Sequence, residues 1–565
     1  MKNIITILCC LLLPALLSAQ QEEGGVTLAG SLQSDMLLPQ EDAAIGTGTY
    51  TANFLSNNYL NLQLNSKYIT AGARLELLNN PLPGFEAAFA GAGLPNLYVT
   101  GKYKNVELTL GNVYDQFGSG LIFRSYEERS LGVDNSLRGG RFTIRPYKGI
   151  SIKVLGGMQR SYFNYTPDNA FGLDFSQGAV WGGDLELNID EWLPALQTNG
   201  WYLTAGASFV SKYQPEEDIL RTPTQKLNLP EQVAAGDFRM RLQKGNWDIL
   251  AEYAIKANDP SEDNSYIYKN GSALLLSGSY SRSGMSVLLQ AKRSDNMAFR
   301  SRRMQNGTSA FINHLPAFSM THTYALAAFY PYATQFDGEW AFQGSFGYTF
   351  KKGTAMGGRY GTALKLNVSH IRDIQRNYMD DADGNPYGTS AYNPRGGEGY
   401  TSAFFKMGNE VYYNDINVDL TKKISKEFTL GATYMYQIYN KKVIEGKGDL
   451  IRAHVAIADL KYQFSNNLSM RAELQGLFTK QDQGVWVYAL YELALFRSLM
   501  LSVSDMYNAG ESKLHYYMGS VAYTWSSHRL QAGFGRTRAG YNCSGGVCRY
   551  VPASKGVIIS YNVNF

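Results

Sequence analysis

The feature that most constrains this chain is a two-residue alternation of apolar and polar side chains. It recurs over residues 60–65, 237–242, 469–478 and 557–565. Successive side chains of a β-strand point to opposite faces, so the pattern predicts strands with one apolar and one polar face. The polar face carries charges in mid-strand, as at Arg471 and Glu473, which favours a wet interior behind a lipid-facing band. Strands of soluble sandwiches also alternate but are typically about 5–6 residues long, whereas the strands predicted around these patterns run to ~9–13 residues.

Composition agrees with an all-β chain. Its 565 residues include 40 Tyr and 57 Gly but only 17 Pro, and aromatic residues favour strands while Gly favours turns. The mean hydropathy is −0.26, too low for a helical membrane protein but compatible with a membrane barrel. The formal charge of +4, without clustered Lys and Arg, gives no indication of nucleic-acid binding.

The N-terminal residues 1–19 have the pattern of a secretory signal peptide. Lys2 precedes an apolar run from Ile4 to Leu17, and Leu17-Ser18-Ala19 forms a small-residue cleavage site. Residues 20–565 are therefore expected to form one exported domain. No later apolar run approaches the ~18–20 residues of a spanning helix, and only helices and closed barrels satisfy the backbone within lipid.

The connections between predicted strands alternate between short and long. Such barrels place short turns in the periplasm and long loops outside. We predict a transmembrane antiparallel up-and-down barrel of about 26 strands, with 24 as the alternative, because the count is ambiguous between 330 and 406 and bacterial barrels have even strand numbers. Strand-like sequence begins at Val26, so we expect no N-terminal plug domain.

The most distinctive segment is 111–141, which is rich in glycine and in charges of both signs. It has three interpretations: a loop in the lumen that forms a pore constriction, a salt-bridged internal plug that holds a wide barrel in shape, or an ordinary outer loop. The charged residues singled out are Asp115, Arg124, Glu127, Glu128, Arg129, Asp134, Arg138 and Arg141.

Other candidate sites are weaker. Asp380, Asp381 and Asp383 could bind Ca²⁺, but their spacing does not match an EF-hand, so a solvated acidic turn is the preferred interpretation. Cys543 and Cys548 flank a short glycine-containing loop and are predicted to form a disulfide in an exported compartment. The six histidines accompany no recognisable nucleophile motif. We therefore predict no catalytic activity and no cofactor.

The last strand carries a more specific signal. It has aromatic residues at alternating positions, Tyr561 among them, and ends on Phe565. This pattern resembles the terminal signal read by the outer-membrane assembly machinery. We therefore expect that machinery and outer-membrane lipid to be partners of the chain, and the cell outer membrane to be its location.

Several segments carry a resemblance to a known family. They are 111–120, 124–129, 134–139, 330–335 and 357–362. Through these segments, the mature chain resembles an uncharacterised family of outer-membrane barrels from Bacteroidota. The resemblance implies the fold and the location and transfers no functional residue.

Two functions follow as expectations. The first is a passive, porin-like channel for polar solutes, because a barrel this wide cannot be filled by its wall side chains alone. The alternative is a structural or scaffold barrel, sealed by inserted loops, with protein partners in a larger outer-membrane assembly or a surface-binding role.

Overall fold

The computed structural model describes residues 25–50, 52–78, 80–85, 90–160, 178–305, 307, 309–380, 384 and 395–565. Within these residues, 24 antiparallel strands form one sheet in which each strand pairs with its neighbours in sequence. The first strand also pairs with the last, in a register that runs from Ser31↔Asn564 to Pro39↔Gly556. The sheet is therefore a closed up-and-down barrel. The predicted signal peptide and its cleavage site lie outside the described residues.

Numbered in chain order, the strands of the first half are β1 Thr27–Pro39, β2 Leu55–Asn65, β3 Ile69–Leu78, β4 Gly91–Tyr103, β5 Val106–Val113, β6 Leu137–Ile144, β7 Ile150–Gln159, β8 Ala179–Asn188, β9 Trp201–Tyr213, β10 Gln232–Lys244, β11 Trp247–Lys256 and β12 Gly271–Arg282. Those of the second half are β13 Met285–Asp295, β14 Gly338–Phe350, β15 Thr362–Ile374, β16 Met407–Lys423, β17 Phe428–Asn440, β18 Leu450–Ser465, β19 Leu468–Phe478, β20 Trp486–Leu495, β21 Leu499–Asn508, β22 His515–Trp525, β23 His528–Thr537 and β24 Ser554–Asn564.

Helix is a minor component. In the described part of the chain, two short α-helices, Pro194–Thr198 and Lys441–Glu445, and 3₁₀ turns at Arg129–Leu131, Ile189–Glu191 and Glu262–Asn264 lie in the connections. Among the described residues, no helix is long and apolar enough to cross a membrane.

The predicted count of about 26 strands is wrong, and the alternative of 24 is confirmed. The difference lies partly in the ambiguous region: residues 296–337 form one long connection between β13 and β14 and contribute no strand to the wall. In addition, Gly540–Ser544 and Val547–Val551 pair only with each other, as a hairpin between β23 and β24. Extended segments outside the wall therefore inflate a count made from sequence.

The two ends of the barrel differ. Connections such as 104–105, 245–246 and 466–467 lie at the end of the barrel where β1 begins and β24 ends, which we call the short-turn end. The opposite end, the loop end, carries the longer connections. Phe565 joins the closure at the short-turn end: its amide donates to the carbonyl of Gly30 at 2.9 Å, and the Gly30 amide donates back at 2.7 Å. Tyr561 is buried and hydrogen-bonds His528 Nδ1 at 2.8 Å.

The outward face of the wall is apolar. In β10, outward Phe238 and Met240 are exposed while Asp237 and Arg239 are buried on the inward side. The same exposure recurs around the barrel at Leu97, Leu110, Val154, Ile249, Leu289, Leu474 and Val503. Exposed aromatic side chains collect towards the short-turn end: Tyr68, Tyr103, Tyr147, Tyr202, Trp247, Phe496 and Tyr523. An apolar band edged by aromatic residues is the exterior of a transmembrane barrel.

Candidate functional site: a plug made from two inserted loops

The connections 114–136 and 296–337 fold into the barrel and pack against each other and the wall. We call them together the plug. Phe117, Leu121 and Leu326 in the plug have no exposed surface. They belong to one apolar core with inward wall residues that include Val180, Val210, Val233, Ala341, Val455 and Leu477. The loop-end half of the lumen is thus occupied by a packed core, as in a globular domain.

The segment 296–337 reaches wall strands on widely separated parts of the circumference. On one side the Gln159 side chain of β7 donates to the carbonyl of Phe311 at 2.6 Å. On the other, the Leu326 amide donates to the Gln475 side chain of β19 at 2.9 Å. Phe329 packs on Trp486 of β20 with ring centroids 5.0 Å apart. The segment therefore crosses the lumen.

Three inward lysines, one on each of β9, β11 and β13, hold the backbone of this segment. Lys212 Nζ donates to the carbonyl of Arg300 at 2.7 Å, and Lys256 Nζ to that of Ala298 at 2.6 Å. Lys292 Nζ donates to the carbonyl of Pro316. All three are buried. A buried ammonium is stable only when it is paired or hydrogen-bonded, so these contacts fix the segment to the wall.

The segment 114–136 is joined to the wall by a buried ionic network. Arg74 of β3 pairs with Glu76 at 2.8 Å, with Glu127 at 2.7 Å and with Asp134. Arg160 pairs with Glu76 at 2.7 Å and with Asp134. Burial alone would raise the pKa of Asp134, but Arg160 and Arg74 overcome this effect and hold it at about 2.

The remaining predicted residues of this segment have separate partners. Asp115 pairs with Arg141 of β6 at 3.0 Å and with Lys153 of β7 at 2.6 Å. Arg129 pairs with Glu127 at 2.6 Å and lies over the ring of Tyr59.

Two of these residues have local contacts within the plug. The guanidinium of Arg124 lies over the Tyr126 ring, 4.2 Å from its centroid. The backbone amide of Arg124 donates to the carbonyl of Ile312 at 2.8 Å. The Glu128 carboxylate accepts from the hydroxyl of Ser130 at 2.7 Å.

Arg138 differs from the other predicted residues in the face of the wall on which it lies. It lies on β6, three residues before Arg141 and four before the exposed Phe142. Strand alternation places Arg138 on the outward side with Phe142, because side chains an even number of residues apart share a face.

A carboxylate cluster, Glu76, Glu127 and Asp134, has oxygens close enough to hold a metal ion. Each carboxylate is already paired with Arg74, and an arginine occupies the position that a cation would take. The cluster is therefore part of the ionic network that connects the plug to the wall. Of the predicted calcium residues, Asp381 and Asp383 lie outside the described residues, and Asp380 stands at their edge.

The structure joins Cys543 and Cys548 in a disulfide within the hairpin Gly540–Val551. The hairpin lies against the plug from the loop end. The Thr334 amide donates to the Gly546 carbonyl at 3.0 Å, and the Asn542 side chain donates to the Ser130 carbonyl at 3.2 Å. The disulfide thus stabilises a hairpin that contacts both segments of the plug.

A cavity of about 520 Å³ lies between the plug, this hairpin and the wall. Its wall side is mixed, with polar Ser277 and Gln290 beside apolar Leu250 and Leu275, and its plug side includes Ser119 and His314. Burial lowers the pKa of His314 to about 3, with contributions from Arg124 and Lys292, so His314 is neutral at physiological pH. The cavity offers hydrogen-bonding groups without a free charge from this histidine.

Sequence reasoning missed most of this site. The segment 296–337 is dense in apolar and aromatic residues without a two-residue period, and that combination was the available signal for a buried connection. The wall groups Arg74, Glu252, Lys212, Lys256 and Lys292 were hidden among many inward polar residues. Their common signal is a charge on the inward face near the loop end of a strand.

The fold and the plug together define a class: a large, closed β-barrel of the outer-membrane type whose lumen contains its own loops. The chain belongs to a family of unknown function, DUF6029, whose model matches residues 1–565. No curated protein matches the sequence.

Among solved structures, the siderophore receptor PirA from Pseudomonas aeruginosa is 11% identical, with a TM-score of 0.39 over 95% of this chain and 80% of that one. The P pilus usher (PapC) translocation pore is 12% identical, with a TM-score of 0.41 over 95% and 99%. The copper transporter OprC is 8% identical, with a TM-score of 0.40 over 97% and 81%. Likenesses this distant have no bearing on what the chain does.

Proposed function

We propose that this protein is an outer-membrane barrel sealed by its own loops, which acts through its loop-end surface as a scaffold or binding subunit of a larger assembly. The location rests on the outward apolar band and on the exposed aromatic residues at the short-turn end, the features that match a barrel to a bilayer. Export through a cleaved signal and insertion by the outer-membrane assembly machinery are part of the proposal.

The main observation in favour of a sealed barrel is that the segment 296–337 crosses the lumen. Its contacts run from Gln159 on β7 to Trp486 on β20, and its core residues are fully buried. An open porin needs a water-filled path through the lumen. A packed apolar core with buried ion pairs supports a fixed structural element, because opening it would expose the apolar surface and unpair the charges.

The direct test is conductance. We expect the purified protein to insert into planar lipid bilayers without producing steady channels. A variant in which residues 313–333 are replaced by a short Gly-Ser linker should conduct, provided that it still migrates as a folded barrel in unheated gels. Steady conductance of the unmodified protein would overturn the sealed-barrel proposal.

A second candidate function is slow passage of small polar solutes, the channel role in a restricted form. The observation that favours it is the 520 Å³ cavity, which touches the hairpin at Asn542 and inward wall residues such as Gln290. Liposome swelling distinguishes the two functions. A restricted channel admits small sugars even when ionic conductance is near the noise, whereas a sealed barrel admits none.

A further inference from the structure

Residues 395–406, in the connection between β15 and β16, lie against the outside of the barrel. Alternation places Arg293 and Asp295 on the outward face of β13, because the intervening positions Lys292 and Ser294 face inward, where Lys292 holds the plug. The Tyr400 hydroxyl donates to Asp295 at 2.8 Å. The described part of this connection therefore lies on the side of the wall that carries the apolar band.

This contact covers two charges that would otherwise face lipid. Arg293 pairs with Asp295 at 3.2 Å, and both are buried. The Phe404 ring lies over the guanidinium of Arg293, 4.6 Å from its carbon to the ring centroid. Tyr400 packs in an outward apolar cluster with Ile267, Trp340 and Ile374. A charge on the lipid face of a barrel is costly at depth, and the overlying aromatic residues remove that cost.

The tip of this connection is apolar and uncovered. Phe405 packs edge-on against Phe404, with centroids 5.0 Å apart, and is 81% exposed. Phe404 lies 6.2 Å from Tyr253 on the outward face of β11, and Leu289, also outward on the neighbouring wall, is 63% exposed. The exposed ring of Phe405 is thus continuous with the apolar band.

The depth of this tip can be estimated from β11. At ~3.3 Å per residue and a tilt of ~40°, the step from Trp247 near the short-turn end to Tyr253 corresponds to about 15 Å along the barrel axis. The apolar band of a transmembrane barrel is ~25 Å tall. The level of Tyr253, and with it Phe404, falls within the band on its loop-end side. The tip is a tight turn, closed by a hydrogen bond from the Lys406 amide to the Ala403 carbonyl at 3.1 Å.

We propose that residues 400–405 form a lipid-contacting wedge, in which Phe405 inserts among the acyl chains of the outer leaflet while Tyr400 and Phe404 shield the Arg293–Asp295 pair. This inference rests on the proposed membrane location. The wedge fastens an outer loop to the lipid-facing wall and fixes its height relative to the bilayer. Membrane lipid is the expected occupant because Phe405 is linked through Phe404 to Tyr253 of the apolar band.

The test uses a nitroxide spin label at single introduced cysteines in the full barrel, reconstituted in phosphatidylcholine–phosphatidylglycerol vesicles. The variants are Phe405→Cys, with Leu289→Cys as the lipid-facing control and Tyr550→Cys, 53% exposed on the disulfide hairpin, as the aqueous control. Collision with oxygen reports lipid, and collision with a water-soluble nickel chelate reports water. We expect the label at 405 to match that at 289, with nickel accessibility several-fold below that at 550.

Two results would overturn the wedge. Nickel accessibility at 405 equal to that at 550 would place the tip in water, and protection from both reagents would indicate contact with protein, such as a second copy of the chain. The control at Leu289 distinguishes a failure of the wedge from a failure of the proposed membrane location. If 289 reports lipid while 405 does not, the wedge alone fails; if 289 itself reports water, the membrane placement of the barrel fails with it.

Discussion

The backbone amide of Ser119 donates to both carboxylate oxygens of Glu252, at 2.9 and 3.2 Å, and so ties the plug segment 114–136 to strand β11. The preceding Gly118 has a φ of +50°, and a Cβ there would meet the Glu252 carboxylate at 2.6 Å. This close approach therefore depends on glycine. It brings together two residues far apart in sequence at a point where the lumen would otherwise be open.

Glu252→Ala should loosen the plug and raise conductance. The substitution removes the acceptor for a buried amide, which costs about 1–3 kcal/mol, and opens space beside Ser119. We expect brief openings in planar bilayers where the unmodified protein is silent. The matched control is Asp248→Ala, on the same strand and face but paired with Arg241 near the short-turn end. Equal conductance from the two variants would mean that the Glu252 contact does not hold the plug.

Replacing the three wall lysines should release the segment 296–337 further. In the triple variant Lys212→Met, Lys256→Met and Lys292→Met, the carbonyls of Ala298, Arg300 and Pro316 lose their donors, and Asp259 and Glu339 lose cationic partners. We expect faster proteolysis within 296–337 and larger conductance. Lys365→Met is the control, since Lys365 lies on β15 away from this segment and is exposed. An unchanged proteolysis pattern in the triple variant would contradict the role assigned to the lysines.

Asp134→Asn should destabilise the barrel by leaving Arg74 and Arg160 short of a counter-charge; breaking a buried pair in this way typically costs about 3–5 kcal/mol. The pKa of Asp134 is depressed to about 2, so its stabilising effect is present above the usual carboxyl range near 4 and is lost as the pH falls towards 2. The temperature at which the folded band disappears in gels should fall for the variant at pH 7. Near pH 2 variant and parent should converge, and a constant difference down to that pH would contradict this assignment.

The wall could be predicted from the sequence, and the plug could not, for a physical reason. Strands such as β10 and β24 have two faces that contact different media. Their residues therefore alternate between apolar and polar, as Phe238 and Asp237 do. The core of the plug is surrounded by protein, and residues such as Phe299 and Leu326 are buried where the shape of the lumen requires it, which produces no regular period in the sequence. The pairing of Arg74 with Asp134 depends on that three-dimensional shape. Sequence identified one partner, Asp134, and not the other.

The terminal residue should matter for assembly more than for the finished barrel. Phe565 pairs with Gly30 through both backbone groups, and its ring covers Gly30 so closely that the site has no room for a Cβ. Phe565→Ala keeps the backbone pairing and removes the ring, so the purified variant should unfold at nearly the parent temperature. If the ring is part of a terminal assembly signal, the amount of folded barrel in the membrane of expressing cells should fall several-fold. Leu289→Ala, at an exposed position in the apolar band, controls for general loss of lipid-facing surface; the same loss in both variants would show that Phe565 has no special role in assembly.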